Sequence, residues 1–193
     1  MPTEIHNVHV HWIKNEFSNM LKSQFLTFPE WKFLDFNVGT RFTGFSGIYT
    51  GSSKEPDLFI RLNTYPLPTV VVESGWSESW PHLQSDKNLW FSGGPAVTYV
   101  ILLQWSKGAN NRVKGVVEVY HRNAVGAEIL LHHEDISPIP ALAAQLIIPI
   151  TLGEIFGAGI FQGRNQNAVH QMSLANLRPL ARERLLAMGL TPA

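Results

Sequence analysis

The chain contains no cysteine, and this absence excludes disulfide bonds, zinc sites built on thiolates and a cysteine nucleophile. Charged residues are also few, at 16% against 45% hydrophobic residues, a balance typical of a folded globular protein. No apolar run approaches the roughly 20 residues that a membrane-spanning helix needs. Residues 1–10 lack the basic and then apolar build of a secretory signal. We therefore expect an intracellular protein, cytoplasmic or nuclear, that has no membrane partner.

The chain also lacks an excess of positive charge, because fifteen basic residues balance fifteen acidic ones. Proteins that hold nucleic acid mainly through its phosphates usually carry a clear positive excess. Any contact with DNA is therefore expected to be weak or confined to a local basic cleft. The length of 193 residues suits a single domain with a full hydrophobic core.

The first third of the chain predicts a helix followed by short strands. Apolar residues recur at helical spacing after Asn7, which predicts a helix that opens at this residue. Residues 33–38 and 45–49 are rich in aromatic and β-branched side chains and are separated by glycines, so they predict a strand and hairpin region.

Three stronger strands are predicted at residues 57–62, 69–73 and 97–105. The apolar runs in the last two are continuous rather than alternating, as expected for strands that are covered on both faces. A helix that begins after Ser79 and ends at Gly93-Gly94 would join these two strands into a βαβ-like unit.

The last third predicts an antiparallel extension of the sheet and a closing helix. Residues 116–121 and 127–131 have the texture of a strand pair at one edge of the sheet, and an exposed edge strand could support a homodimer. Prolines break up the next stretch. Residues 175–188 predict a C-terminal helix whose arginines, Arg178, Arg182 and Arg184, lie on its outer side.

Two carboxylates are the strongest candidates for chemistry. Asp57 stands at the start of one predicted strand and Glu73 at the end of its neighbour, so they could converge on a divalent cation such as Mg²⁺ or Mn²⁺. Such a site could polarise a phosphodiester and activate a water. The alternative is that Asp57 caps a turn after Pro56 and Glu73 marks the point where a strand meets solvent.

The motif Pro56-Asp57, followed by an apolar strand that ends in Glu73, resembles the PD-(D/E)XK signature of the restriction-endonuclease-like nucleases. In that superfamily the aspartate and the glutamate bind the metal ion. The lysine that the signature places two residues after the glutamate is Gly75 in this chain.

A closer resemblance, to the Uma-type branch of the superfamily, covers most of residues 54–157 and extends to a group of uncharacterised fungal proteins. The shared features follow one another in the same order: Pro56-Asp57, Val70-Val71-Val72-Glu73, Ser77-Glu78-Ser79, a helix over 83–91, Gly93-Gly94 with Val97, a buried strand over 99–103 and Leu152-Gly153-Glu154-Ile155-Phe156. The resemblance implies a single α/β domain over residues 1–193. Its restriction-endonuclease-like core, at about residues 33–157, would be a mixed central sheet flanked by helices, with the antiparallel extension and the C-terminal helix added.

In that branch the missing lysine is thought to come from the following helix. Lys87 shares a predicted helix face with Leu83 and Trp90, so it could reach toward Glu73 and stabilise negative charge on a phosphate. If Trp90 is aligned with the branch's helical aromatic residue, the lysine position falls instead on Asp86. Asp86 is then either a helper ligand or a structural partner.

Two further polar residues are auxiliary candidates. Gln104 ends the second buried strand, either as a polar group that supports the site or, more commonly, as an ordinary strand-end amide. Glu16 matches in kind an acidic residue that some superfamily members contribute from an early helix, although an exposed helical glutamate is the commoner explanation. Neither His9 with His11 nor His132 with His133 resembles a zinc pair, because neighbouring side chains diverge.

The sequence thus predicts a metal-dependent nuclease that hydrolyses DNA, with Asp57, Glu73 and Lys87 as its catalytic residues. The alternative is a catalytically inactive relative of the same fold that serves as a binding or protein-interaction module. Retention of both carboxylates favours the nuclease, whereas Gly75 and the zero net charge favour the inactive module.

Overall fold

The computed structural model describes residues 3–63, 65–76, 79–123, 125–140 and 147–193. Ser77 and Glu78 of the serine-rich motif lie outside these residues. The helices are α1 (Val8–Lys22), α2 (Phe28–Lys32), α3 (Trp80–Asn88), α4 (Leu152–Phe156) and α5 (Leu174–Ala187). The strands are β1 (Leu34–Asn37), β2 (Leu58–Leu62), β3 (Val70–Trp76), β4 (Tyr99–Lys107), β5 (Arg112–Arg122), β6 (Glu128–Ser137), β7 (Ile147–Thr151), β8 (Val169–Ser173) and β9 (Thr191–Pro192). No helix in the described ranges is long and apolar enough to cross a membrane.

A mixed sheet of α/β architecture organises the protein. Its strand order is β1-β2-β3-β4-β5-β6, and β9 pairs with β5 beside this path. The β3–β4 and β5–β9 pairs are parallel and the other neighbours are antiparallel. Because α3 joins β3 to β4, the predicted βαβ unit is confirmed. Strands β5 and β6 form the predicted antiparallel extension.

Both faces of the central strands are buried, which explains their continuous apolar runs. Val70 and Val72 of β3 point into a core built with α1 and α5, whereas Val71 points into a second core. That second core contains Phe42, Phe45, Leu83 of α3 and Trp90. Glu73 follows Val71 by two residues, so strand alternation carries its side chain to the α3 side of the sheet.

One local prediction differs from the structure, and two further features were not predicted. Residues 45–49 were expected to form a strand but contain the 3₁₀ turn Gly47–Tyr49, because glycines with positive φ, at 85° for Gly44 and 61° for Gly47, interrupt the extended backbone. Strand β7 carries Pro149, and within the described residues it pairs with β8 alone, so its other edge tolerates a residue without an N–H. The π-helical turn Leu89–Gly93, which follows α3, was also not predicted.

Gly115 provides a test of how tightly the sheet packs. It is the cross-strand partner of Trp105, and a β-carbon at this position would overlap the buried indole ring. We expect Gly115→Ala to lower the free energy of unfolding by about 1–3 kcal/mol, the usual cost of overpacking. Gly108→Ala is the matched control in the same hairpin, because a β-carbon there meets its nearest atom, the Arg112 carbonyl oxygen, at 3.6 Å. Equal stability of the two variants in urea titration would contradict the expectation.

Candidate functional site

Asp57 and Glu73 lie side by side on neighbouring strands, Asp57 just before β2 and Glu73 within β3. The antiparallel ladder pairs Leu58 with Val72, so Asp57 and Glu73 occupy the next positions on the two chains. The Asp57 carboxylate accepts a hydrogen bond from the backbone N–H of Ser74, with 2.7 Å between N and Oδ2. This bond fixes the aspartate against β3 beside the glutamate.

Glu73 is held by a buried tryptophan. Its side chain is almost completely shielded from solvent, and its Oε1 accepts a hydrogen bond of 2.7 Å from Nε1 of Trp90. Trp90 is wholly buried and packs edge-on against Phe42 and Phe45. The aromatic core therefore fixes the position of the carboxylate.

The same burial alters the acidity of Glu73. Desolvation raises the pKa of Glu73 to about 8, and the charges of Asp57 and Asp86 act in the same direction. The Lys54 ammonium and the Trp90 hydrogen bond oppose this rise without cancelling it. Glu73 therefore keeps its proton up to about pH 8, although a protein cation lies beside it.

Lys54 is that cation, and its role was not predicted although it stands three residues before Asp57. Its Nζ lies 2.5 Å from Oδ2 of Asp86 and 3.7 Å from Oε1 of Glu73. Reciprocal backbone hydrogen bonds to Phe42, of 2.8 and 3.0 Å, fix the segment that carries it. Burial lowers the pKa of Lys54, but the surrounding carboxylates, Glu73 first, outweigh burial and raise it above its usual value.

Lys87 lies elsewhere, which corrects the expectation that it turns toward Glu73. Its ammonium forms an ion pair with Glu128 and sits 4.4 Å from the centre of the Tyr120 ring. Tyr120 belongs to β5, whereas Glu73 belongs to β3, and β4 runs between them. Helix α3 does carry Lys87 on its buried face, but this part of the face lies over β5.

The other predicted residues divide between the site and the scaffold. Asp86 joins the site through Lys54. Gln104 is half-buried on the face of β4 that Val100 and Leu102 also occupy, which is the face of Glu73. Glu16 was expected to be exposed, and this is wrong: its carboxylate is buried and contacts Asn176 at 2.8 Å and His170 at 3.4 Å. It therefore braces α1 against α5 and β8.

Two histidines that were not predicted border Asp57. His6 places Nε2 3.5 Å from Oδ1 of Asp57. His9 is buried between two carbonyl oxygens, with Nδ1 2.8 Å from that of His6 and Nε2 3.2 Å from that of Asp57. Burial is the largest effect on the pKa of His9 and lowers it, which favours the neutral ring; a neutral ring donates only one of these two hydrogen bonds.

The number of acidic side chains that meet here limits the kind of cation that they could hold. Among the described residues, no group of three or more His, Asp or Glu side chains has an arrangement that could hold a metal ion by itself. Mg²⁺ commonly takes only one or two carboxylates and completes its shell with waters and substrate phosphates. Asp57 and Glu73 provide two adjacent carboxyl groups, of which Glu73 becomes a charged donor only when it loses its proton at about pH 8.

Comparison of the chain with protein-family models, with curated proteins and with solved structures finds no match in any of the three. The site is therefore interpreted from its own geometry.

The raised pKa of Glu73 predicts a pH-dependent stability. Between pH values of about 4.5, usual for glutamate, and about 8, the unfolded chain has lost a proton that the folded chain retains. The free energy of unfolding contributed by Glu73 therefore falls as pH rises through this range. Glu73→Gln removes that contribution and keeps an acceptor for Trp90, so its stability relative to the wild type should increase with pH.

Urea titrations from about pH 5 to about pH 9 would measure this difference, since the range spans most of the shift. Glu55→Gln serves as the control, because Glu55 lies on the same segment as Lys54 and is exposed. A constant difference between Glu73→Gln and the wild type across the range would contradict the expectation.

Proposed function

We propose that the protein is a metal-dependent nuclease in which Asp57 and Glu73 hold a divalent cation and Lys54 supplies the ammonium group that Gly75 lacks. The observation that carries this proposal is the position of Lys54, whose Nζ is 3.7 Å from Glu73 and is held by Asp86. A cation, two adjacent carboxylates and a hydrogen-bonded acidic helper thus meet at one end of the sheet.

The order of the structural elements supports the restriction-endonuclease-like assignment. Pro56-Asp57 precedes β2, Glu73 lies on β3, α3 follows and β4 returns parallel to β3, in the order that the sequence resemblance implies. The later motif over 152–156 forms α4. Its backbone accepts hydrogen bonds from Thr69, at 2.5 Å, and from Thr98, at 2.6 Å, next to the starts of β3 and β4.

Each residue would have a distinct task. A divalent cation, when bound, polarises a phosphodiester and lowers the pKa of a coordinated water. Lys54 would offset negative charge that develops on the phosphate, and Asp86 would keep its ammonium in position. The Ser74 N–H and the Trp90 indole would hold the two carboxylates at a fixed separation.

The proposal predicts different effects at the two lysines. Lys54→Met removes the ammonium but keeps the length of the side chain, and we expect it to lower DNA cleavage roughly 100-fold or more, as losses of electrostatic stabilisation commonly do. Lys87→Met should cleave at a rate close to the wild type, because Lys87 is engaged with Glu128 at the start of β6. Cleavage of single- and double-stranded DNA with Mg²⁺ and with Mn²⁺ is the measurement.

Two controls make this comparison interpretable. Asp57→Asn and Glu73→Gln should abolish cleavage, since both remove charge at the proposed cation site; equal activity in these variants and the wild type would indicate a contaminating nuclease. Thermal unfolding of each variant separates loss of chemistry from loss of fold. A larger loss in Lys87→Met than in an equally stable Lys54→Met would overturn the assignment of Lys54.

A catalytically inactive binding module is the second candidate. The observation that favours it is the burial of Glu73, which raises the pKa of Glu73 to about 8, so that its carboxyl group stays protonated at lower pH while it accepts a hydrogen bond from Trp90. A carboxyl group that remains neutral is a poor ligand for a hard cation.

The module predicts binding without turnover. Labelled DNA would show the same fluorescence anisotropy change with EDTA as with Mg²⁺, and no product would form over the pH range in which Glu73 ionises. Binding that strengthens with Mg²⁺, together with cleavage that rises toward about pH 8, would instead support the nuclease.

A further inference from the structure

We infer that a cleft between α1 and β1 binds single-stranded DNA, with an unpaired base stacked on Trp31 and a neighbouring phosphate on Lys14. The inference rests on the proposed function for the choice of DNA as the ligand, and it deepens that function by naming the form of the substrate. The residues of the cleft are separate from Asp57 and Glu73, so they bind the strand without taking part in the chemistry proposed there.

The cleft combines aromatic walls with a polar rim. Its volume is about 500 Å³, which is in the usual size range of sites for small ligands. Phe17 of α1 packs against Phe36 of β1 with 5.6 Å between the ring centres, and both rings line the cleft. Trp31 of α2 provides a further aromatic wall, and Lys14 and Ser18 of α1 provide polar groups. A flat, partly aromatic group that carries a negative charge therefore fits this cleft.

Trp31 supplies the surface on which a base can stack. Its side chain is 40% exposed, and its indole already stacks on Phe28, with ring centres 5.6 Å apart and ring planes inclined by 22°. The Phe28 contact holds the indole in place and leaves part of it accessible. Proteins that bind single strands stack successive bases on such exposed aromatic rings. The bases of a duplex are stacked on their neighbours and are not free to make this contact, so the cleft favours a single strand.

The surroundings of the cleft carry positive charge in a chain whose net charge is zero. Lys14 and Lys32 are both exposed, and Nζ of Lys32 lies 4.8 Å from the centre of the Phe28 ring. Neither lysine forms an ion pair with any residue that the structure describes. Asp35, which also lines the cleft, is already paired with Arg61 at 2.9 Å. The phosphates of a DNA strand are the complementary charge.

Helix α1 and strand β1 both lead from the cleft to the proposed cation site. Nε2 of His9 lies 3.2 Å from the carbonyl oxygen of Asp57, and Phe17 follows on the same helix, about 12 Å along its axis. Asn37, which ends β1, pairs with Phe59, close to Asp57 on the neighbouring chain segment. A single strand that is anchored in the cleft therefore reaches Asp57 within a few nucleotides.

Fluorescence anisotropy of a short labelled DNA strand, alone and annealed to its complement, tests the inference on the full chain. EDTA is present to prevent cleavage. We expect the wild type to bind the single strand more tightly than the duplex. Trp31→Ala should weaken binding of the single strand by roughly 5- to 150-fold, the usual effect of losing one base stack, whereas Trp31→Phe should keep most of the affinity.

The lysine of the cleft gives a second, independent measurement. Lys14→Gln should weaken binding and reduce the slope of log affinity against log salt concentration by about 0.7, the value for one phosphate contact with a single strand. Lys107→Gln is the matched control, because Lys107 is exposed at the end of β4; it should leave the affinity and the slope unchanged. Since Lys14 is exposed, its variant remains informative if Trp31→Ala does not fold.

The outcomes separate this inference from the proposed function. Equal affinity for the single strand and the duplex would overturn the inference. Unchanged binding and cleavage in folded Trp31→Ala and Lys14→Gln would also overturn it and leave the nuclease proposal standing. Binding that depends on the cleft, without cleavage in Mg²⁺ or Mn²⁺, would support the inference and overturn the nuclease. A wild type that binds no single strand would overturn the inference, and a dimer that Trp31→Ala dissociates in sedimentation would then assign this surface to a second copy of the chain.

Discussion

The ion pair of Lys54 with Glu73 and Asp86 is the interaction on which the candidate site depends. Removing a glutamate from water is costly unless a cation and hydrogen bonds replace the solvent. Glu73 receives both, from Lys54 and from Trp90. The replacement is incomplete, because desolvation by burial still raises the pKa of Glu73, and the charges of Asp57 and Asp86 add to that rise.

The sheet converts this local electrostatic arrangement into a fixed geometry. Phe42 pairs with Lys54 through its backbone and lies with Trp90 in the core on the α3 side of the sheet, so one residue connects the cation to the packing around the carboxylate. Asp57 is tied to β3 through the Ser74 amide. Movement of β2 along β3 would therefore disturb the core and the polar groups together, which makes their relative positions a property of the fold.

The sequence was informative where local pattern and tertiary packing agree. The continuous valines of β3 and the glycines after Trp90 predicted a buried βαβ unit, and the alternation of β3 places Glu73 on the α3 side. It was uninformative where a contact joins distant segments. Nothing local distinguishes Lys54 from an exposed loop lysine, and only the pairing with Phe42 brings its ammonium to Glu73. Glu16 was misjudged for the same reason, because His170 and Asn176 lie 154 and 160 residues further along the chain.

The position of helix α3 over the sheet explains why Lys87 does not reach Glu73, as its helical spacing had suggested. Leu83 of this helix and Trp90 just after it are buried in the core between the helix and the sheet. Polar residues of the helix lie on either side of this apolar contact and form two separate networks. On one side Asp86 binds Lys54 beside Glu73. On the other side Lys87 joins a network in which Glu118 accepts hydrogen bonds from Gln84 and Tyr120, both at 2.6 Å.

Lys54 pairs with Asp86 beside Glu73, and Lys87 pairs with Glu128. If either lysine turned to the other group of carboxylates, the acidic partner that it left would keep an unpaired charge. Breaking a buried pair typically costs more than the pair contributes, since the remaining charge has neither water nor a partner. Each lysine therefore belongs to one of the two networks and does not serve the other. Helical periodicity alone identifies which residues face the sheet, but the strand beneath each residue decides which carboxylate it meets.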